Sequence, residues 1–312
     1  MKHTSDDLTA LPDVTVIIAT RDRPQLLSRA LNAITSSDYD GDLKCLVVFD
    51  QSTPDRSIEF NEGNRAVAVT SNSQSNGLAG ARNTGMLAAE TELVAFCDDD
   101  DEWLPGKLSK QVAALTANPN AHFAATGIVI AFDGDETPRI PDPRKLTRTG
   151  FLADRMTEVH PSSFLFERQW MIDTVGLVDE QLPGGYAEDY DVLLRVIQHS
   201  EIAIAEEALV RIHWHGASFF FERWQMIDKA LTYLLQKHPD FATVPKGLAR
   251  IAGQQAFARA AIGDRRGAWS ASRTALGASA FELRAYLSLV IAFSPLTAER
   301  CLKTAHRFGK GI

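Results

Sequence analysis

Residues 93–105 read LVAFCDDDDEWLP, a short apolar run that ends abruptly in four adjacent aspartates, Asp98 to Asp101. The apolar run predicts a buried strand whose carboxyl end carries the aspartates. Adjacent carboxylates repel one another unless a cation lies among them, and oxygen ligands at a partly open site favour Mg²⁺ or Mn²⁺. The alternative is a solvated acidic loop. The position directly after a strand favours the metal site.

Apolar runs and helical spacings alternate through the first 130 residues. Strands are predicted at residues 14–19, 43–49, 66–70, 93–97 and 123–132, with helices from residue 24, at 78–89 and after residue 105. This alternation predicts an α/β fold with a mostly parallel, Rossmann-like sheet that is flanked by helices. Ligands bind beyond the carboxyl ends of such strands, so the polar residues of interest are 20–23, 50–55 and 98–101.

The second half of the chain is less regular. We predict a surface loop at 133–149, a helix near 168–175, a helix that begins at Glu188, a pair of strands within 202–212, and helices from 219 onward with breaks at Gly263 and Gly277. The domain boundary is predicted near residue 240. Residues 1–240 would form the catalytic domain, and residues 241–312 would form an α-helical extension.

Composition and charge exclude several classes of protein. The 312 residues are 45% hydrophobic and 23% charged, which is typical of a globular chain. The three cysteines lie far apart, the amino terminus is polar rather than a signal peptide, and apolar runs are short, so we expect a soluble, cytoplasmic protein. The net charge of -8 combines +8 from residue 245 onward with -16 before it, and the acidic body argues against a general nucleic-acid binder.

Six segments, taken in order, resemble the inverting glycosyltransferase family 2, which has the GT-A fold. They read VIIATRDR from Val16, VFDQST from Val48, NGLAGARNTG from Asn76, DDDDEW from Asp98, and VGLVDE from Val175 followed by EDYDVLLR from Glu188. The resemblance extends over residues 14–218. It implies transfer of a sugar from a nucleotide-diphosphate-sugar to an acceptor hydroxyl with inversion, with Mg²⁺ or Mn²⁺ bound.

The resemblance also implies a role for individual residues. The nucleotide-sugar would contact Thr20, Arg23, Asp50, Arg82, Asp98 and Asp99; the metal would contact Asp100 and His213; the catalytic base would be Asp189; and the acceptor would contact His160, Ser162 and Glu188. Asp98 and Asp100 are the outer members of the aspartate-any-aspartate (DXD) motif. Phe49 and Gln51 stand where the family usually has an acid and a glycine, which leaves the nucleotide base open.

General chemistry agrees with these roles. A cation offsets the negative charge that develops on a departing diphosphate, and an inverting displacement needs one base for the acceptor hydroxyl. Asp189 lies near a helix start, where an ionised carboxylate is favoured, although helix capping by Glu188 and Asp189 is the structural alternative. His213 and His215 point to opposite faces of a strand, and the spacing to Ser218 favours His213 on the metal.

Two other functions fit parts of the sequence. A nucleotide-sugar-binding module that has lost catalysis would keep the fold but not the full set of acids, and a sugar nucleotidyltransferase would need a glycine-rich loop after the first strand. A dinucleotide-binding dehydrogenase lacks its G-x-G-x-x-G motif here. Expected partners are a UDP-, GDP- or dTDP-sugar and a glycan, glycolipid or small-molecule acceptor. The apolar, basic C-terminal helices predict peripheral contact with the inner face of the cell membrane.

Overall fold

The structure, a computed structural model, describes residues 11–214 and 223–294. His215, Ser218, Cys301 and the basic residues at 300–310 lie outside the described residues. The chain folds into two compact units. The sheet unit contains residues up to 143, 157–178 and 199–214, and the helical unit contains 144–156, 179–198 and the residues from 215 onward.

The sheet unit is built on one ten-stranded sheet. Its strands are β1 (Val14–Thr20), β2 (Leu43–Phe49), β3 (Phe60–Glu62), β4 (Arg65–Ser71), β5 (Leu93–Asp98), β6 (Asp101–Trp103), β7 (Ala121–Phe132), β8 (Asp135–Arg139), β9 (Leu165–Glu167) and β10 (Glu201–His213). The strand order is β3-β4-β2-β1-β5-β9-β7-β10-β6, and β8 pairs with β7. Strands β4, β2, β1 and β5 are parallel neighbours, as are β7 and β10. The predicted, mostly parallel α/β sheet is therefore confirmed.

Helices are found in both units. The sheet unit contains α1 (Pro24–Thr35), α2 (Leu78–Ala88), α3 (Lys107–Ala117) and α5 (Arg168–Trp170), the last of which continues as a π-helical turn over Met171–Val175. The helical unit contains α4 (Arg148–Ala153), α6 (Glu188–Val196), α7 (Trp224–Lys237), α8 (Pro245–Ala261), α9 (Arg265–Ala278) and α10 (Leu283–Phe293). Among the described residues, none of these helices combines the length and apolarity needed to cross a bilayer.

Small residues allow α2 to lie directly against the sheet. A Cβ atom at Gly85 would come within 2.4 Å of Ile17 on β1, and one at Gly80 would come within 1.8 Å of the backbone oxygen of Ser75. Arg82 lies on α2 between these two glycines, so their close packing fixes where the arginine lies relative to the edge of the sheet.

Two predictions about local structure are wrong. The segment 133–149 is not a loop, since it contains β8 and the start of α4; β8 escaped prediction because all five of its side chains are exposed and leave no apolar pattern. The segment 202–212 is one strand rather than two, with a register shift between Ala205 and Ala208. The predicted helix breaks at Gly263 and Gly277 are confirmed, because Gly263 follows α8 and α9 ends at Ala278, one residue after Gly277. The boundary near residue 240 stays a prediction.

Candidate functional site

The candidate site of the sheet unit lies where β1, β2 and β5 end. In the parallel register Thr20 pairs with Phe49, directly before Asp50, and Ala19 pairs with Asp98. These strands end together because parallel neighbours share one carboxyl edge. The three polar segments that the sequence singled out therefore meet at one edge of the sheet.

The acidic turn, Asp98 to Asp101, is held from two sides by cationic and hydroxyl groups. Arg82 is buried and its Nη2 lies 2.6 Å from Asp98 Oδ1. Thr20 Oγ1 donates to Asp99 Oδ2 at 2.7 Å, and Arg23 Nη1 lies 3.1 Å from Asp99 Oδ1 and 3.3 Å from Asp100 Oδ2.

The neighbouring arginines do not fully offset the repulsion among the carboxylates of the turn. Burial is the main reason that the pKa values of Asp99 and Asp100 are raised, and repulsion from neighbouring aspartates raises them further. Burial and the charge of Asp98 also raise the pKa of Asp101 well above its ordinary value. A turn whose carboxylates resist ionisation is suited to an additional cation.

One group of side chains has the composition of a divalent cation site. Ligand atoms of Asp98, Asp101 and His160 all lie within 4.8 Å of one another. Ser162 fixes this group, because its hydroxyl donates to Asp101 Oδ2 at 2.5 Å and accepts the Asp98 backbone N–H at 2.9 Å. His160 Nδ1 lies 3.5 Å from Asp101 Oδ2.

Asp50 is held by the loop that precedes α2. It accepts hydrogen bonds from Asn72 Nδ2 at 2.8 Å, from the Gly77 backbone N–H at 3.1 Å and from Gln51 Nε2 at 2.9 Å. Burial raises the pKa of Asp50, but these hydrogen bonds outweigh it and the net pKa is lowered. Asp50 is therefore an ionised anchor for the Asn72–Gly77 loop, and its predicted contact with the nucleotide stays a prediction.

His213 lies in a different cluster from the three potential metal ligands. Its Nε2 is 2.6 Å from Glu102 Oε1. Glu102 also pairs with Arg29 at 2.9 Å and with Arg211 at 3.3 Å. The predicted role of His213 at the metal stays a prediction, and within the described residues its observed partner is Glu102.

The predicted base, Asp189, belongs to the helical unit and lies in the first turn of α6. Arg155 Nη2 is 2.7 Å from Asp189 Oδ1, and the Arg155 guanidinium lies 5.8 Å from the Tyr186 ring centre. Burial lowers the pKa of Arg155, but the charge of Asp189 and the hydrogen bond to its carboxylate raise it by more. A permanently charged partner thus holds the carboxylate of Asp189 in one orientation. Glu188, the predicted acceptor contact, is buried at the start of the same helix.

The sequence predicted Asp101 only as one member of the cation-binding turn, and it gave no role to Glu102 or Arg155. Asp101 and Glu102 lie within the quoted acidic run, so the signal was present, but a linear motif does not tell which carboxylate turns inward. Arg155 is a single arginine in an irregular segment. No sequence pattern could have identified it as the partner of Asp189.

Comparisons with known proteins agree with this architecture. Residues 15–174 match the family described as Glycosyl transferase family 2. A curated relative, the UDP-Glc:alpha-D-GlcNAc-diphosphoundecaprenol beta-1,3-glucosyltransferase WfgD of Escherichia coli, is 26% identical over 137 residues, which cover 43% of this chain and 53% of that protein. The chain thus spans about half the length of this relative.

Two solved structures share the fold over nearly the whole chain. TarS 1-349 of S. aureus, in complex with UDP-GlcNAc, is 15% identical with a TM-score of 0.60, over 96% of this chain and 92% of that one. The mannosyltransferase PcManGT of Pyrobaculum calidifontis, in complex with GDP-Man and Mn²⁺, is 18% identical with a TM-score of 0.54, over 96% of this chain and 81% of that one. The family match covers about half of the chain, so the protein belongs to glycosyl transferase family 2 and has the GT-A fold.

Proposed function

We propose that this protein transfers a sugar from a nucleotide-diphosphate-sugar to an acceptor hydroxyl and inverts the anomeric centre. The observation that carries the proposal is the group formed by Asp98, Asp101 and His160 at the carboxyl edge of the sheet. Arg82 and Thr20 hydrogen-bond to the same acidic turn and hold two of its carboxylates in place. Membership of the family supports the proposal independently.

The residues present fit Mg²⁺ or Mn²⁺. Two carboxylates and one imidazole within 4.8 Å offer mainly hard oxygen ligands, and the imidazole also suits Mn²⁺. The raised pKa of Asp101 supports the fit, because a cation would relieve the repulsion behind it. We propose Asp98, Asp101 and His160 as holders of the ion, with the DXD member Asp100 at its edge. A bound divalent cation would supply Lewis-acid stabilisation of the diphosphate leaving group.

The remaining chemistry is assigned to the chain's own side chains. Arg82 and Arg23 bring positive charge to the acidic turn, where the negative nucleotide must enter. Asp189 would accept the proton of the acceptor hydroxyl as general base. Arg155 would hold Asp189 in a single orientation.

The named ligands of similar proteins guide the choice of substrates. One relative is named for UDP-Glc and a diphosphoundecaprenol acceptor, and two neighbours were solved with UDP-GlcNAc and GDP-Man. We propose a UDP-, GDP- or dTDP-sugar donor and a glycan or glycolipid acceptor in the biosynthesis of a polysaccharide, glycolipid or glycoconjugate, on the cytoplasmic side of the cell.

A donor screen tests the proposal. The full-length protein is incubated with each nucleotide-sugar and a glycan or glycolipid acceptor in Mn²⁺, in Mg²⁺ or in a chelator, and release of nucleoside diphosphate is measured. We expect release from one donor class, abolished by the chelator and by Asp101→Asn. The matched control Glu207→Gln removes an exposed carboxylate that pairs with Lys110, and it should release nucleoside diphosphate at the unmodified rate.

Two outcomes would replace this proposal with its alternatives. Tight nucleotide-sugar binding without turnover for any donor would identify a binding module. Formation of a nucleotide-sugar from a nucleoside triphosphate and a sugar phosphate would identify a nucleotidyltransferase.

A further inference from the structure

Helix α10 is apolar on two opposite faces. Its inner face consists of buried residues that are mostly small, namely Ala285, Ser288, Ile291 and Ala292. Its outer face consists of large exposed residues, namely Leu283, Tyr286, Val290 and Phe293. The outer residues follow helical spacing and form one continuous stripe. A globular protein of this kind would normally place polar side chains on an outer face.

The neighbouring helix α9 extends this apolar stripe and adds positive charge. The Trp269 ring meets the Phe293 ring edge to face, with centres 6.4 Å apart, and Trp269 is half exposed. Arg266 and Arg273 lie three residues before and four residues after Trp269, so the three side chains share one face of α9. Phe281, just before α10, is 91% exposed.

We propose that this aromatic-basic face binds the surface of an anionic phospholipid bilayer. The aromatic-basic face is defined by Arg266, Trp269, Arg273, Phe281, Leu283, Tyr286, Val290 and Phe293. Tryptophan, tyrosine and phenylalanine partition into the zone between lipid headgroups and acyl chains, while arginines attract anionic headgroups. This face lies wholly within the helical unit and does not involve the proposed catalytic residues.

Charge selects the bilayer over a second copy of the chain. Residues 245–294 carry seven basic residues against two acidic ones, and residues 295–312 add four basic residues against one acidic. A symmetric dimer would press this face against itself and bring like charges together, which is costly. An anionic bilayer offers an apolar layer and compensating charge at once. Nucleic acid would satisfy the arginines but not the exposed aliphatic stripe.

The membrane proposal makes the protein a peripheral one. Its lipid affinity has two sources, buried apolar area and attraction to anionic headgroups. Affinity should therefore fall when either source is removed, and it should fall for vesicles without net charge. This proposal does not depend on the proposed function, since it concerns lipid binding in the absence of any donor or acceptor.

The test is co-sedimentation of the full-length protein with vesicles. One set contains phosphatidylcholine alone and the other contains phosphatidylcholine with phosphatidylglycerol. We expect the unmodified protein to bind the second set. The double variant Val290→Ser, Phe293→Ser should lose about tenfold or more in its partition coefficient, because burying each of these apolar side chains in the bilayer contributes a free energy of that size. Arg266→Gln with Arg273→Gln should weaken binding to anionic vesicles only.

Controls separate lipid binding from loss of the fold. Leu87→Ser removes an exposed leucine in the sheet unit and should bind vesicles like the unmodified protein. All variants should keep the melting temperature of the unmodified protein. The arginine pair provides a second test should the apolar double variant fail to fold.

Three results would overturn the proposal. The first is absence of binding to anionic vesicles. The second is equal binding by the unmodified protein and both double variants. The third is a dimer in light scattering that Val290→Ser with Phe293→Ser converts to a monomer, which would make the face an interface between copies of the chain.

Discussion

At the scale of the residue, the acidic turn stores electrostatic repulsion that a cation can relieve. Asp101 shows this best, because burial and the charge of Asp98 raise its pKa. Its Oδ2 still accepts the hydroxyl of Ser162, so the side chain is oriented by a neutral donor as well. Among the described residues, Asp101 also belongs to the one group that offers three potential ligands. The burial and the neighbouring charge that make Asp101 costly to ionise are therefore also the features that suit it to hold a cation.

Asp101→Asn should stabilise the protein in the absence of metal. A raised pKa means that the folded state favours the protonated acid. Asp101 therefore does not destabilise the fold below its ordinary pKa of 3.8. Its destabilising effect grows as the pH rises through the raised value. In a chelator at neutral pH, the variant should melt higher by about 2–4 °C for each kcal/mol of repulsion removed. The difference in melting temperature should shrink towards pH 4.

Melting curves across pH with a chelator present check this prediction. Asn83→Asp is not a suitable control, because Asn83 is buried and bonded to Val178. Glu207→Gln is suitable, and it should change the melting temperature little at any pH. A metal-free Asp101→Asn protein that melts below the unmodified one at neutral pH would contradict the account.

At the scale of the element, a buried ionic network fixes α6 to the helical unit. Asp191 is fully buried and meets His238 Nε2 at 2.9 Å, Lys237 Nζ at 2.9 Å and Arg195 Nε at 2.9 Å. Burial raises the pKa of Asp191, but the His238 hydrogen bond and the charges of Arg195 and Lys237 lower it to about 2. Because Asp189 lies two residues earlier on the same helix, this network also sets where the predicted base is held.

Asp191→Asn should cost about 3–5 kcal/mol of unfolding free energy at neutral pH, since it removes the buried carboxylate that Arg195, Lys237 and His238 share. The lowered pKa means that the native aspartate stabilises the fold above its ordinary pKa of 3.8 and loses this effect as the pH falls towards 2. The cost of the substitution should therefore shrink below pH 4. Urea unfolding at several pH values measures it, and a cost that stays constant down to pH 2 would contradict the network.

Replacing a glycine by alanine should destabilise the protein in α2 and stabilise it in α9. Gly80→Ala places a Cβ against the Ser75 backbone and should lower the free energy of unfolding by about 1–3 kcal/mol. It should also lower nucleotide affinity, because the displaced loop hydrogen-bonds to Asp50. Gly277 meets nothing within 4 Å and lies in α9, so Gly277→Ala should stabilise by about 0.4–1 kcal/mol. Urea unfolding with nucleotide titration tests both. A stabilising Gly80→Ala would show that the loop is not packed as described.

Sequence patterns predict elements well where burial is regular and poorly where it is not. Strands β1, β2 and β5 are buried on both faces and appear as continuous apolar runs, and α1 shows its inward stripe plainly. In contrast, β8 is exposed along its whole length and is held by backbone pairing with β7, which leaves no trace in side-chain pattern. Likewise, we predict two strands within 202–212, but β10 continues as one strand through an irregularity in register.

The same limit applies to the candidate site. The order of the motifs predicted which strand ends would gather, and the structure does bring Thr20, Arg23 and Arg82 onto the acidic turn. The motifs could not predict that Asp101 and His160 would share a group or that His213 would face Glu102. Such pairings depend on side-chain direction across elements distant in sequence.

At the scale of the whole molecule, the chain separates its tasks between two compact units. The sheet unit carries the acidic turn and the predicted nucleotide contacts, and the helical unit carries Asp189 and the aromatic-basic face. The acidic net charge before residue 245 and the basic net charge after it follow the same division of roles. A cation would suit the acidic part and an anionic lipid surface would suit the basic helices.

The most direct test compares Asp189→Asn with Asp101→Asn, using the donor that the screen selects. We predict that Asp189→Asn lowers release of nucleoside diphosphate by about 10²–10⁴-fold while Mn²⁺-dependent nucleotide affinity stays at the unmodified value, because it removes only the base. Asp101→Asn should instead lose that affinity. Turnover by Asp189→Asn at the unmodified rate, or unchanged Mn²⁺-dependent affinity in Asp101→Asn, would contradict the roles proposed for Asp189 and for the acidic turn.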